Sequence, residues 1–329
     1  MLETISFPVS RESIEEYGSV KGLAQACEAC GCDGIEVVWA GDDATDALQD
    51  CAAPGYHLIF YPDWLDFWNG DEAALAEKFG SRGEWISFYG GAGREALIDQ
   101  YRADLARAER AGAQYVVFHV SDVSIIEGYT YRWLHTNEAV IDAAVELINL
   151  LFAEKSYPFT LLVENQWWPG FTFTDPAQTQ YLLDDIRCGN KGILLDTGHL
   201  MNCDQSLRTQ KDGIEYIHRM LDKHGALAEN IRGMHLHYSL SGEYVSAHKG
   251  VVPADLTGDY VTKFGKNYSH ILQIDRHQPW TDPEIVSVIR RIRPDWLTHE
   301  LSCADRAERA RVVAVQKDTL RRGGLPSCR

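Results

Sequence analysis

A chain of 329 residues is long enough for one large α/β barrel or for two ordinary domains. Its 45% hydrophobic and 24% charged residues describe a globular chain able to build a sizeable core, and they exclude extended disorder. A formal charge of -17 opposes general attraction to nucleic-acid backbones and to anionic membranes.

The opening residues, Met1-Leu-Glu-Thr, lack the basic and apolar regions of a signal peptide, and no apolar run approaches about 18 residues. A cytoplasmic protein with no membrane contact is expected. The eight cysteines then read as reduced thiols. Cys27, Cys30 and Cys32 could offer thiolates to zinc, but no second Cys-x-x-Cys completes a structural site, so they are expected to pack a helix end and bind nothing.

In chain order, the pattern predicts a strand at 4–9, a helix at 20–29 ending at Gly31, a strand at 33–38 and a third strand at 56–61 stopped by Pro62. His57 falls on that third strand, and an aromatic loop with Trp64, Phe67 and Trp68 follows. A helix over 94–111, closed by Gly112, leads to a strand at 114–119 that ends in His119. The glycine-rich stretch 89–94 could cradle a phosphate at a helix start, but it lacks a Walker lysine and serine and reads as a plain loop. A long amphipathic helix at 137–155, with Leu147, Leu150 and Leu151 on its apolar side, delivers the strand at 160–164.

Asp175 or Thr174 caps a helix with Pro176 at its first position, and the strand at 192–196 comes next. A helix over 213–224 precedes the strand 231–237, on which period two puts His235 and His237 on one face. The segment 239–270 has no clear pattern and is long enough to be an insertion or lid. A helix at 283–293, a strand at 296–300 and a last helix near 305–320 complete the chain. Eight alternations of strand and helix, with no Gly-x-Gly-x-x-Gly after the first strand, predict a single (β/α)8 barrel over 1–329 rather than a doubly wound sheet.

The runs Thr160-Leu-Leu-Val-Glu164 and Gly192-Ile-Leu-Leu-Asp196 are apolar on both faces and end in acid, which a covered parallel strand carrying a carboxylate at its C-terminal end explains. An ionised acid buried there needs a cation or several donors. In a parallel barrel all such ends converge on one rim, where His57, His119, Glu164, Asp196, His199, His235 or His237 and Glu300 would meet, with Asp275 and His277 between the last two strands. Mixed imidazole and carboxylate ligands suit a divalent ion: zinc or manganese first, with magnesium, cobalt and iron open.

The stretches Leu195-Asp-Thr-Gly-His-Leu-Met-Asn202, Val163-Glu-Asn165, His235-Leu-His237 and Asp275-Arg-His277 resemble the xylose isomerase-like barrel superfamily. That superfamily contains sugar isomerases and epimerases, inositol catabolic enzymes and the endonuclease IV type of apurinic endonuclease. The resemblance implies that Glu164, Asp196, His235 and Glu300 bind a central metal. In the endonuclease branch it implies that His57 and His119 join Glu164 on a second ion and that His199, Asp275 and His277 hold a third. The chain departs from the endonucleases in reading His235-Leu-His-Tyr, and from the ketose 3-epimerases in lacking a second acid after Glu164.

Two activities follow from the resemblance. The first is isomerisation or epimerisation of a small sugar, ketose or cyclitol, with Glu164 and Glu300 as the catalytic proton carriers. The alternative is hydrolysis of a phosphate ester at clustered metals, as in the apurinic endonucleases, although the acidic charge disfavours a nucleic-acid partner. His237, Trp64, Trp167 and Trp168 are expected at the substrate, the tryptophans because aromatic faces stack on sugar rings.

Overall fold

The computed structural model describes residues 1–325. Eight parallel strands close on themselves in chain order: β1 (Leu2–Val9), β2 (Gly34–Trp39), β3 (Gly55–His57), β4 (Tyr115–His119), β5 (Thr160–Glu164), β6 (Lys191–Asp196), β7 (Ile231–His235) and β8 (Trp296–His299), with β8 returning to β1. Helices between the strands form the outer layer, so the chain is a single (β/α)8 barrel, as its alternating pattern predicts. No helix among the described residues is long and apolar enough to cross a membrane.

Most of the core lies between sheet and helices, where Phe7, Ile35, Phe118, Leu161, Val163, Ile193 and Leu195 are buried. A second, smaller cluster of Tyr115, Val117, Leu162, Leu194 and Trp296 fills the barrel axis. Period two along each strand carries this inner face upward, from Val117 to His119, from Leu162 to Glu164 and from Leu194 to Asp196. Register then fixes who meets whom: His119 pairs across from Glu164, and Asp196 across from His235.

Several elements differ from the sequence expectation. β3 stops at His57 rather than at residue 61. The cause is Asp104, on the Glu95–Arg110 helix, whose buried carboxylate accepts the Ile59 backbone N–H at 2.6 Å and the Tyr56 hydroxyl at 2.6 Å and so draws the chain off the sheet. The aromatic stretch after it is a short buried helix, Leu65–Asn69, and not a loop. β7 ends at His235, two residues early. Leu150 is 38% exposed, so the buried face of the Asn137–Phe152 helix runs through Val140, Ile141, Ala144, Leu147, Ile148 and Leu151 instead.

The glycine-rich stretch is the turn between the Arg82–Tyr89 and Glu95–Arg110 helices. Cys27 and Cys32 are buried in the core, where burial pushes the Cys32 thiol up to about 12. The segment after β7 folds into two helices, Gly242–His248 and Tyr260–Ile274.

Replacing Asp104 by alanine leaves the buried Tyr56 hydroxyl and the half-buried Ile59 N–H without their acceptor, and an orphaned buried group costs about 1–3 kcal/mol. Asp104→Ala should therefore destabilise the fold by about 2–4 kcal/mol in urea unfolding, and Asp104→Asn by markedly less.

Candidate metal centre

The C-terminal strand ends gather the expected ligand types into one buried group. Glu164, at the end of β5, is fully buried, and its Oε1 lies 3.2 Å from His199 Nδ1 and 3.3 Å from His235 Nδ1. Its Oε2 lies 2.9 Å from His119 Nε2 and 3.4 Å from His57 Nε2. Despite these short separations, Oε2 accepts no aligned hydrogen bond, and neither does Glu300 Oε2, 2.8 Å from His235 Nδ1. Donor atoms gathered this closely without aligned hydrogen bonds could hold a cation.

Three sets of donor atoms each lie within 4.8 Å of one another: Glu164, Asp196, His235 and Glu300; His57, His119 and Glu164; and His199, His237, Asp275 and His277. The cysteines enter none of these sets among the described residues. In the third set Asp275 Oδ2 stands 3.1 Å from His199 Nε2 and 2.6 Å from His277 Nε2. Glu164 belongs to two sets, and the donor chemistry of all three suits a divalent ion bound by nitrogen and oxygen.

Local sequence explains the placement. Asp196 caps the short helix Thr197–Asn202 by accepting the His199 N–H at 2.6 Å, which turns His199 over the barrel mouth. Asn165 clamps the ends of β5 and β6, accepting the Asp196 N–H at 2.9 Å and donating to the Asp196 carbonyl at 3.1 Å. Gly198 cannot be larger, because a Cβ there would stand 2.1 Å from the ring of His237.

Electrostatics reinforce the geometry. Burial would raise the Glu164 carboxyl, but His119 and His235 beside it hold it well below the usual carboxylate range. Against the same penalty, His235 and His277 hold Glu300 down at about 2. Burial would lower His277, yet Asp275 and Glu300 push it up to about 9. His199 and His235 are likewise driven well above the ordinary imidazole range by the acids around them, overcoming burial.

Above the ligands lies a cavity of about 390 Å3, lined by His57, His119, His199, Asp275, His277 and Glu300 below and by Trp167 and Trp168 at the side. Two residues expected at the substrate lie elsewhere. His237 is fully buried beneath the mouth, its Nε2 2.8 Å from Asp196 Oδ2 and its ring stacked on His277 at 3.9 Å. Trp64 is buried with its indole N–H given to the Ser121 carbonyl at 2.8 Å. A larger groove of about 640 Å3 runs behind β1 and β2, between the Val20–Ala29 and Arg306–Arg322 helices, away from these ligands.

The family model of the xylose isomerase-like TIM barrel matches residues 24–319. The chain belongs to this family. Among solved structures it is similar to endonuclease IV from Thermus thermophilus, at 16% identity and a TM-score of 0.53 over 98% of this chain and 100% of that one. It is also similar to L-ribulose 3-epimerase, at 12% identity and 0.54 over 98% and 93%, and to the IolI protein with a bound zinc atom, at 14% and 0.52 over 97% and 96%. At such identities the likeness shows the fold alone. No curated protein matches the chain by sequence.

This xylose isomerase-like barrel also contains supporting residues that sequence reasoning missed. Glu36, buried on β2, stands 2.9 Å from His235 Nε2 through Oε1, while its Oε2 accepts the Tyr115 hydroxyl at 2.7 Å and the Thr298 hydroxyl at 3.1 Å. With a proton held on Nε2, Nδ1 of His235 would be the atom able to hold an ion. Gln166 Nε2 reaches His199 Nδ1 at 3.0 Å, and Ser239 donates to Asp275 at 3.2 Å. A lone acid inside the apolar run Gly34-Ile-Glu-Val-Val-Trp39 was the available signal for Glu36.

Glu36→Gln should keep the fold and weaken zinc binding by about 10–100-fold, measured by competition with a chromophoric chelator. A pH dependence follows from the shifted groups. His277, raised from 6.5 to about 9, adds stability that is complete below 6.5 and lost as pH rises through 9. Glu300, lowered from 4.5 to about 2, adds stability present above 4.5 and lost as pH falls through 2. Chelator-treated protein should therefore show its highest Tm between pH 4.5 and 6.5, and zinc added at higher pH should raise Tm.

Proposed function

We propose that the chain is a metal-dependent hydrolase of a phosphoric ester on a small molecule, working at up to three clustered divalent ions. The position of Glu164 supports this most. Each of its oxygens faces two imidazoles, so both would be taken up in holding ions with those histidines, which would leave neither to take a proton from a substrate carbon. Ions bound there would supply the charge that stabilises a phosphoryl transition state and would lower the pKa of water.

The chain's own residues would divide the work. Glu164, Asp196, His235 and Glu300 would hold the ion nearest the axis, His57 and His119 would complete a second site on Glu164, and His199, Asp275 and His277, with His237 from the same set, a third. Glu36, Asn165 and Gln166 would orient those ligands. The cavity size favours a small substrate, and a net charge of -17, with no lysine or arginine lining the cavity among the described residues, disfavours a nucleic-acid backbone there.

One observation favours the second reading, a sugar isomerase or epimerase. Glu300 keeps 18% of its side chain exposed and borders the cavity, so it could move a proton at a bound substrate. That reaction needs a free base on the opposite side, where Glu164 is enclosed by imidazoles.

Elemental analysis of the purified protein should find more than one zinc or manganese per chain. The His57→Ala, His119→Ala double variant should lose one equivalent and lower the release of inorganic phosphate from small phosphate monoesters by about 100-fold or more. A single equivalent per chain, together with interconversion of free ketoses that survives the double variant, would overturn the hydrolase in favour of the epimerase.

A further inference from the structure

The cavity wall opposite the ligands is built for an apolar group. Trp167 and Trp168 line it together with Phe264, Tyr268, Ile271 and Leu272 of the Tyr260–Ile274 helix, and Ile271 shares one buried cluster with the two tryptophans. The aromatic surface begins where the ligands end: the Trp167 ring lies 5.1 Å from that of His199, and Phe60 lies 4.4 Å from His119. Three of these bordering side chains stand wet, with Phe60 44%, Tyr268 53% and Leu272 41% exposed. Exposed apolar side chains grouped around one opening mark a surface that a ligand covers.

Charge points the same way. Among the described residues no lysine or arginine lines the cavity, so no cationic side chain there recognises an anionic tail. The buried indole N–H groups of Trp167 and Trp168 and the Asn267 side-chain carbonyl have no hydrogen-bond partner among the described residues, which leaves two donors and one acceptor for a ligand beside the apolar lining.

We infer that the molecule processed here is a conjugate: a small polar head reaches the ligand clusters, and an aryl or alkyl group joined to it lies against the apolar lining that Trp167, Trp168 and the Tyr260–Ile274 helix share. The inference rests on the metal-centre reading for its head and on the wall alone for its tail. Free hexoses and pentoses, hydroxylated on every side, would leave this wall wet. The segment between β7 and β8 thereby sets specificity, because it supplies half of the apolar surface.

Two hydroxamates that share a metal-chelating head and differ in their tail test this. Benzohydroxamate and acetohydroxamate are titrated into zinc-loaded protein by calorimetry, and 2-naphthol, which needs no metal, is titrated into zinc-free protein by its emission. Benzohydroxamate should bind at least about 10-fold tighter than acetohydroxamate. In the Tyr268→Ser, Leu272→Ser double variant that preference should fall to near one with acetohydroxamate affinity and zinc content unchanged, and naphthol binding should drop in parallel. Both positions are exposed, so the variant keeps its core.

Equal affinities of the two hydroxamates in the unaltered protein would overturn the conjugate and leave the metal centre standing. Naphthol binding that the double variant abolishes, with neither hydroxamate bound, would support the apolar tail and count against the metal head. Absence of naphthol binding would overturn the inference.

Discussion

The site depends on one buried carboxylate. Glu164 is taken fully out of water at the end of β5, and an ionised acid in that position is tolerated only because four imidazoles surround it. Each of those imidazoles needs a place of its own. They come from β3, β4, β7 and the turn after β6, so a barrel closed in the right register is a condition for neutralising a single side chain. Charge balance and fold are thus coupled: Glu164, His199 and His235 hold one another ionised in a volume that would otherwise favour their neutral forms, while burial pushes His119 down.

Beneath this layer a second one sets orientation. Glu36, Tyr115 and Thr298 form a closed hydrogen-bonded group on the barrel axis that ends on His235 Nε2. Asn165 ties the backbone of Asp196 to the neighbouring strand, and Gly198 leaves the space that the His237 ring fills. His237 in turn occupies one oxygen of Asp196 and stacks on His277, connecting the first and third ligand sets from below. The four-residue motif after β6 thereby supplies a ligand-type acid, a tight turn, room for a ring and a second imidazole.

Above the candidate ligands, the cavity is lined by residues of the connections. The tryptophan pair after β5 and the Tyr260–Ile274 helix after β7 come from connections, where barrels of this architecture vary without disturbing the strands. The Tyr260 hydroxyl also reaches Asp63 at 3.2 Å, so the start of that helix is tied to the loop after β3. A neighbouring ion-pair group, in which Lys78 joins Asp63 and Asp66, steadies the same loop.

Much of this was legible in the sequence. Apolar runs ending in Glu164 and Asp196 identified buried parallel strands, and alternation with helices identified the barrel, because both follow from local periodicity. The residue types at the strand ends identified a candidate centre for the same reason. What local pattern does not contain is partner choice. β3 ends where it does because Asp104, on a helix far along the chain, takes its backbone N–H; Trp64 turned inward to the Ser121 carbonyl; and His237 sits below the mouth because β7 stops at His235. The role of Glu36 emerged only when β2 and β7 faced each other across the axis. Sequence determined which groups must be buried together, since burial follows from side-chain chemistry and period. Tertiary structure decided which lone pair meets which proton, since that depends on closure and register between strands distant in the chain.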